Sequence, residues 1–248
     1  MEQVHCGVHT VYLSNFSHCP PTPTAVDISG DWALLSSPSH DSNRGKVNVY
    51  YFTGWNWTFS SAITAPNPIA GERFGHAVSI HEETAAVGVP LYNGQGHSDS
   101  GGVFMFYRAP RGEFQLQGIL VPNVTGPEWG CGQSVAVRDD YVVFGCPDED
   151  EGGKAFLFQR VVATVDPVAA AAAGVPVDEF HHTWTQTAEL HTPRVANGEL
   201  FGWSVAIALS YNPSDMWGTS CASWMRRACV HTVTHEGVWF VAVCSGEI

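Results

Sequence analysis

The chain has 248 residues, of which 44% are hydrophobic and 14% are charged, and its formal net charge is -13. This length and apolar content allow a sizeable core, which excludes disorder as the main state. The acidic balance argues against nucleic acid or an anionic membrane surface as a partner, and no apolar stretch reaches the roughly 18 residues that a membrane span requires.

Residues 1–21 are expected to form an N-terminal tail. They lack the continuous apolar run after a basic start that characterises a signal peptide. The chain as a whole contains 25 glycines and 15 prolines, a composition that favours many short strands joined by turns.

One cassette of apolar segments occurs three times from residue 22 onward, and a fourth copy is incomplete. In each copy an alternating segment is followed by a near-continuous apolar run that ends at a proline: Pro38, Pro90 or Pro147. Alternation predicts a half-buried strand, and a continuous run predicts a strand covered on both faces. The first three strands are predicted at 25–28, 32–35 and 47–52 in copy one, 76–80, 84–89 and 103–106 in copy two, and 133–137, 141–146 and 155–158 in copy three.

A fourth strand in each copy is marked by an aromatic residue and a later aliphatic one. Four short antiparallel strands, repeated at a fixed period, predict the blades of a β-propeller, in which large apolar residues pack blade on blade. The marker pairs are Trp57 and Ile63, Phe114 and Leu120, and Trp184 and Leu190. We expect blade-like units at 22–68, 72–124, 129–192 and 199–248, with insertions at 161–180 and 208–229.

Phe74-Gly75-His76-Ala77-Val78, Phe201-Gly202-Trp203-Ser204-Val205 and Gly145-Cys146-Pro147 resemble the FG-GAP repeats of integrin alpha-subunit propellers. The resemblance covers roughly 22–207 and 237–246, including third strands that end in Arg108 and Arg160. Thr22-Pro23 and Cys131-Gly132 stand where Phe-Gly is expected. The resemblance implies an all-β fold, a partial β-propeller of about three and a half four-stranded blades that is left unclosed, since rings of this family usually hold more.

The same resemblance implies a non-catalytic module that binds a protein or glycan through its propeller loops, in cell adhesion at an extracellular or cell-surface location. Further blades from a longer chain or a partner are expected to complete it. Sequons at Asn15, Asn56 and Asn123 would make it a glycoprotein in a secretory pathway. Two alternatives stay open: an accessory propeller of a secreted hydrolase, and a truncated gene product without independent function.

Catalytic motifs are not evident in the sequence. His81-Glu82 and His181-His182 lack the HExxH spacing of a zinc site, and Gly132-Gln133-Ser134-Val135-Ala136 lacks the closing glycine of a nucleophile elbow. We therefore expect that the chain is not an enzyme.

Calcium is the one cofactor that the sequence suggests. The loops between the second and third strands carry a D-x-[DN]-x-G pattern, at Asp41 and Asn43 in the first copy and at Asp148 and Asp150 in the third. This pattern is half of an oxygen-donor calcium loop, and the resemblance also implies calcium in the propeller loops. The alternative is a solvated turn, because aspartate and glycine favour turns.

Seven cysteines are present, none in the CxxC spacing of a zinc site. If Asp139-Asp140 forms a hairpin turn, Cys131 and Cys146 lie on neighbouring strands at nearly the same register. A disulfide between them and a pair of buried free thiols are both compatible with this placement.

Nine tryptophans suggest a carbohydrate-binding role. Trp57 occupies the aromatic position of the repeat, so packing accounts for it. Trp55 lies at a turn, where an exposed aromatic ring could serve recognition.

Overall fold

The computed structural model describes residues 24–149, 152–162, 182–191 and 200–210, together with the strand segments 4–6, 9–11, 230–234 and 237–246. The protein is all-β. Strands β1 (Val4–Cys6) and β2 (His9–Val11) form a two-stranded hairpin, and every other described strand belongs to one of four antiparallel sheets.

Three of these sheets have four strands in sequential order, and we call them blades 1 to 3. Each strand pairs with the next one in the chain, as expected for a meander. Blade 1 consists of β3 (Val26–Ser29), β4 (Trp32–Ser37), β5 (Lys46–Phe52) and β6 (Trp57–Ile63); blade 2 of β7 (Ala77–His81), β8 (Thr84–Val89), β9 (Gly102–Arg108) and β10 (Phe114–Leu120); blade 3 of β11 (Ser134–Arg138), β12 (Tyr141–Cys146), β13 (Lys154–Val162) and β14 (His182–Leu190).

The fourth sheet differs from the blades in its strand order. It contains β15 (Leu200–Ser210), β16 (Val230–Thr234) and β17 (Gly237–Gly246), arranged β15-β17-β16. Strand β17 lies in the middle of this sheet and pairs with β15 on one side. On its other side it pairs with β16, which precedes it in the chain.

Two strands continue into the first residues of the predicted insertions at 161–180 and 208–229. Strand β13 continues through Val162, which pairs with His182, and β15 continues through Ser210. Backbone pairing thus extends into both segments, and 163–181 and 211–229 lie outside the described residues. Blades 1 to 3 and the fourth sheet pack side by side, and none of the described sheets closes on itself. They form a partial, unclosed β-propeller, as predicted.

Helical structure is minor in the described part of the chain. One turn at His40–Asn43 contains left-handed residues, Asp41 and Ser42, and a short 3-10 turn spans Gly94–Gly96. Neither turn has an apolar face to bury, which a longer helix would need in order to pack against the sheets.

Most buried apolar side chains of the described residues lie between blades, and one smaller cluster, around Leu35 and Tyr50, lies within blade 1. The joint between blades 1 and 2 buries large side chains from both, including Leu34, Phe74 and Phe104, and the next joint buries Met105, Phe144 and Phe158. Tyr141, Leu157 and Phe201 belong to the joint between blade 3 and the fourth sheet. A blade alone would expose these faces, so stacking of neighbours provides the hydrophobic stabilisation.

The first strands of successive blades lie side by side and are joined by polar side chains. The Asp27 carboxylate accepts hydrogen bonds from the Ser79 hydroxyl and the Ile80 amide, at 3.0 and 2.8 Å. Ser79 in turn accepts one from the Val137 amide at 3.2 Å. The same contact therefore recurs from one blade to the next. At the first blade, the Ile28 amide bonds to its own neighbour Asp27 instead, and Ile28 is 36% exposed where Ile80 is 4% exposed.

Glycines allow the backbones of adjacent blades to touch. A Cβ on Gly88 would overlap the carbonyl oxygen of Gly132, and a Cβ on Gly145 would overlap that of Gly202. The glycines that open β9 and β13, at 101 and 153, pack in the same way on Cys131 and Phe201. Any side chain at these positions would separate the blades.

The Cys131-Gly132 departure from the repeat pattern occupies the same place as Phe74-Gly75. Gly132 and Gly75 both have left-handed φ, +91° and +85°. Cys131 is disulfide-bonded to Cys146, with Cα atoms 4.0 Å apart and both residues buried, so the disulfide alternative applies here rather than the free thiols. The bridge closes a loop of sequence separation 15 inside the joint between blades 2 and 3.

We predict that Gly88→Ala and Gly145→Ala each destabilise the protein by about 2 kcal/mol or more, because a methyl group would meet backbone that has no room to move. The control is Gly118→Ala in β10, where no heavy atom lies within 4 Å of the added carbon. This variant should change stability by about 0.5 kcal/mol or less. Urea unfolding checks the comparison, and equal stabilities of all three variants would contradict the proposed joint contact.

Removal of the disulfide should lower the free energy of unfolding by about 3 kcal/mol, as loop-closure entropy predicts for a loop of this length. Cys131→Ala and Cys146→Ala should each have most of this effect, and the double variant should lose far less than their sum. Denaturation with and without reductant measures it. A reductant that affected the double variant as much as the parent would show that another bond is responsible.

Candidate functional site

The blades have two different ends. Short hairpin turns join the first strand to the second in blades 1 to 3, and the third strand to the fourth in blades 1 and 2. We call the end formed by these turns, at 30–31, 53–56, 82–83, 109–113 and 139–140, the hairpin end. Longer connections at 38–45, 64–76, 90–101, 121–133 and 147–153 form the opposite, loop end. Candidate sites occur at both.

A cleft of about 460 Å³ opens between blades 1 and 2 at the hairpin end. Both blades contribute side chains because the joint holds Trp32, the first residue of β4, next to Arg108, the last residue of β9. Its lining consists of Asp31, Trp32, Tyr51, Ser60, Arg108, Pro110, Arg111 and Gly112.

Arg108 is the most firmly held basic group in this cleft. Its guanidinium carbon lies 4.6 Å from the Trp32 ring centroid, which is cation–π geometry. One terminal nitrogen lies 3.4 Å from a carboxylate oxygen of Glu83. Trp32 is itself braced by Tyr51 and Phe114, with ring centroids 5.0 and 6.3 Å away. The guanidinium plane is thus fixed before any ligand arrives.

The corresponding arginine of blade 3 is bound more tightly. Arg160 donates to Asp140 at 2.7 Å through its Nε, and both arginines also anchor their strands by backbone bonds to residues 83 and 140. By contrast, the buried Nε of Arg108 has no hydrogen-bond acceptor within the part of the chain that the structure describes. The trailing arginine of the repeat therefore makes more side-chain hydrogen bonds in blade 3 than in blade 2, where its buried Nε makes none.

The other cleft residues are open to solvent. Asp31, Ser60 and Arg111 are exposed, and Tyr51 is half-exposed. Among the described residues no carboxylate forms an ion pair with Arg111. The cleft therefore offers two guanidinium groups, one carboxylate, the hydroxyl groups of Ser60 and Tyr51, and an aromatic wall.

Trp55 lies in the neighbouring turn between β5 and β6 and is 89% exposed. This fits the expectation that its ring is not needed for packing. Trp57, two residues later, packs with Phe59 against the core cluster of Leu35 and Tyr50, as its place in the repeat predicts.

At the loop end, the first predicted calcium loop is neutralised from within the chain. Asp41 lies 3.3 Å from the Arg44 guanidinium, and the Asn43 carbonyl accepts a hydrogen bond from the Arg73 amide at 2.8 Å. Asp41 and Asn43 also both have left-handed φ. The two residues come together in one turn, but their main partners belong to the chain itself.

Next to the third loop, the first residue of β13 is a lysine that forms two ion pairs, which the sequence did not predict. The Lys154 ammonium lies 3.0 Å from carboxylate oxygens of both Glu149 and Glu189. Desolvation lowers the pKa of Lys154, but the two hydrogen-bonded carboxylates outweigh this effect and raise it. Glu149 is buried, and the lysine places a positive charge beside its carboxylate.

Asp148 is exposed and has no ion-pair partner among the described residues. Desolvation raises the pKa of its carboxyl, which a bound cation would reverse. Asp150, the other predicted ligand of this loop, lies outside the described residues. In the part of the chain that is described, no group of three or more His, Cys, Asp or Glu side chains is placed to share a metal ion.

A second cavity of about 290 Å³ lies at the loop end, also between blades 1 and 2. Its wall is mainly apolar, with Ile69, Tyr92 and Phe104, and contains the buried Glu72. Desolvation raises the pKa of Glu72 and outweighs backbone hydrogen bonds near residues 69 and 93 that lower it.

Residues 57–106 match the family model of the FG-GAP repeat. The resemblance seen in the sequence is confirmed for this segment. No curated protein matches the chain at a significant level. The FG-GAP repeat is generally a non-catalytic module of β-propellers that serve recognition and adhesion, and proteins that contain it often bind other proteins. No helix among the described residues is long and apolar enough to cross a membrane.

The matched segment does not coincide with a blade. It begins with β6 of blade 1 and continues through β7 and β8 into β9 of blade 2. It therefore contains the entire connection between the two blades, including Phe74 and Gly75. The family pattern describes a joint, and both cavities described above lie at the two ends of that joint.

We predict that Lys154→Met destabilises the protein by about 3 kcal/mol or more, since it removes the positive charge that is paired with the buried Glu149 carboxylate. The matched control is Lys46→Met, because residue 46 is the only other lysine of the chain and carries no ion pair within the described residues. Thermal unfolding should separate the two variants, and adding Glu149→Gln to Lys154→Met should recover part of the loss. Equal stability of the two lysine variants would contradict the buried pairing.

Proposed function

We propose that this protein is a non-catalytic recognition module that binds a protein or glycan ligand through the hairpin end of its blades. The observation that carries the proposal is the cleft between blades 1 and 2, where the aromatic wall and the Arg108 guanidinium are held in place and Arg111 is exposed. Aromatic and arginine side chains are the residue types most enriched at binding hot spots. Exposed Trp55 on the adjacent turn extends this surface.

An extracellular or cell-surface setting fits the chemistry of the joint. The buried Cys131–Cys146 bridge requires an oxidising compartment, where disulfides persist. Two of the sequon asparagines, Asn56 and Asn123, are exposed and accessible to glycosylation. We propose adhesion as the biological context on this basis and on the FG-GAP match. Further blades, from a longer chain or a partner, would cover the exposed leading edge of blade 1 at Ile28.

A glycan array and a protein-partner screen with the whole chain test the recognition function. Tyr51→Ala and Trp55→Ala should each weaken binding of the ligand found by about tenfold or more, because both remove ring surface at the proposed interface. Trp203→Ala is the control, since Trp203 is a half-exposed ring on the fourth sheet. A ligand whose affinity changed only with the control variant would place the interface elsewhere.

We further propose that calcium supports the loop end at the third loop, through Asp148 and Asp150. The exposed, unpaired Asp148 carboxyl supports this proposal, whereas Asp41 and Asn43 fit a metal less well because Arg44 already provides the positive charge. Calcium bound only by the native state must raise the melting temperature by mass action. Asp148→Asn should abolish this rise and Asp41→Asn should preserve it. Absence of any shift at millimolar calcium would remove the metal from the proposal.

A further inference from the structure

We propose that the cleft between blades 1 and 2 binds the carboxylate of an acidic saccharide, with Arg108 and Arg111 as its anion-binding pair. The inference rests on the proposed function, since it names the ligand class of the same cleft. It follows from charge, from the preorganisation of Arg108 and from the remaining lining groups.

The charge of this cleft is opposite to that of the chain. The protein has a formal net charge of -13 and only 11 lysines and arginines, yet two arginines line one cleft of about 460 Å³. Arg111 is exposed and has no carboxylate partner among the residues described. An anion that entered the cleft would find positive charge there, in a surface that otherwise repels it.

Arg108 is held in place before a carboxylate binds. Its guanidinium carbon lies 4.6 Å from the Trp32 ring centroid, and its Glu83 contact of 3.4 Å is long, with the Glu83 side chain 46% exposed. Because the Nε is buried, the terminal nitrogens are the donors that face a ligand. A guanidinium binds carboxylates through hydrogen bonds of this kind, and because Trp32 already holds the group, little side-chain entropy is lost on binding.

The other lining groups favour a sugar over a peptide. The half-exposed Tyr51 ring offers a flat apolar surface for the C–H face of a pyranose, and the Ser60 hydroxyl and Asp31 carboxylate can bond to its hydroxyl groups. The wall lacks the apolar pocket that anchors a peptide side chain. Asp31 also repels a second negative charge, so a ligand with one carboxylate among neutral hydroxyls fits better than a run of acidic side chains.

The test compares two saccharides that differ only in charge. An oligosaccharide ending in glucuronic acid, and the same oligosaccharide with that acid reduced to glucose, are titrated against the full chain by calorimetry. We expect the acid to bind about tenfold more tightly or better, as a charge-assisted hydrogen bond predicts. Arg111→Gln should remove this preference and leave affinity for the neutral form unchanged. Arg138→Gln, an exposed arginine of blade 3, is the control and should keep it.

Each outcome bears on a separate claim. Equal affinity for the acid and its reduced form, unaffected by Arg111→Gln, overturns the acidic-saccharide inference but leaves recognition at the cleft intact. Tighter binding of a glutamate-rich peptide that depends on Arg111 overturns it in favour of a protein ligand. If neither saccharide nor any protein binds, the proposed function fails together with the inference. Retention of the preference in Arg111→Gln with its loss in Arg138→Gln would place the anion on blade 3.

Discussion

The contact on which the rest of the structure depends is the direct approach of main chain to main chain between neighbouring blades. Gly88 meets Gly132 and Gly145 meets Gly202 with no side chain between them, and the glycines that open the third strands pack on the next blade in the same way. Because the backbones touch, the relative position of two blades is fixed at the scale of a single atom. The apolar side chains on either side can then interdigitate, which is how the buried cores arise.

This registration also explains why a cleft with a stacked arginine forms at the joint. Trp32 belongs to blade 1 and Arg108 to blade 2, so the pair exists only where the two blades meet. Their stacking at 4.6 Å is possible only because the joint sets the distance between β4 and β9. The side-chain bonds from Asp27 to Ser79 and from Ser79 to Val137 provide a second, polar registration along the first strands. Rigid placement of this kind lowers the entropic cost of ligand binding.

The sequence was sufficient for the strands because each has a clear period and each blade repeats it. Strand β12 and strand β8 were predicted with their observed bounds, while the strand order of the fourth sheet was not, since β16 lies outside the repeat pattern. The cleft was missed for a physical reason: Asp31 and Arg111 lie in turns of different blades and Ser60 lies in β6, and no local pattern joins them. The local pattern also suggested calcium at Asp41, but only the folded structure shows that the Arg44 guanidinium forms an ion pair with the Asp41 carboxylate. Lys154 was overlooked because one of its two partners, Glu189, lies on β14, far along the chain.

The offset between the family repeat and the blade has a consequence for how such proteins can grow. A segment that begins at β6 and ends in β9 includes its own connection, so tandem duplication copies a fitted interface together with the strands. The ends of the copied segment fall at hairpin turns in solvent, where insertion disturbs little packing. Arrays of this kind can therefore lengthen through recombination without evolving a new contact at each step, and their surface loops are free to diversify.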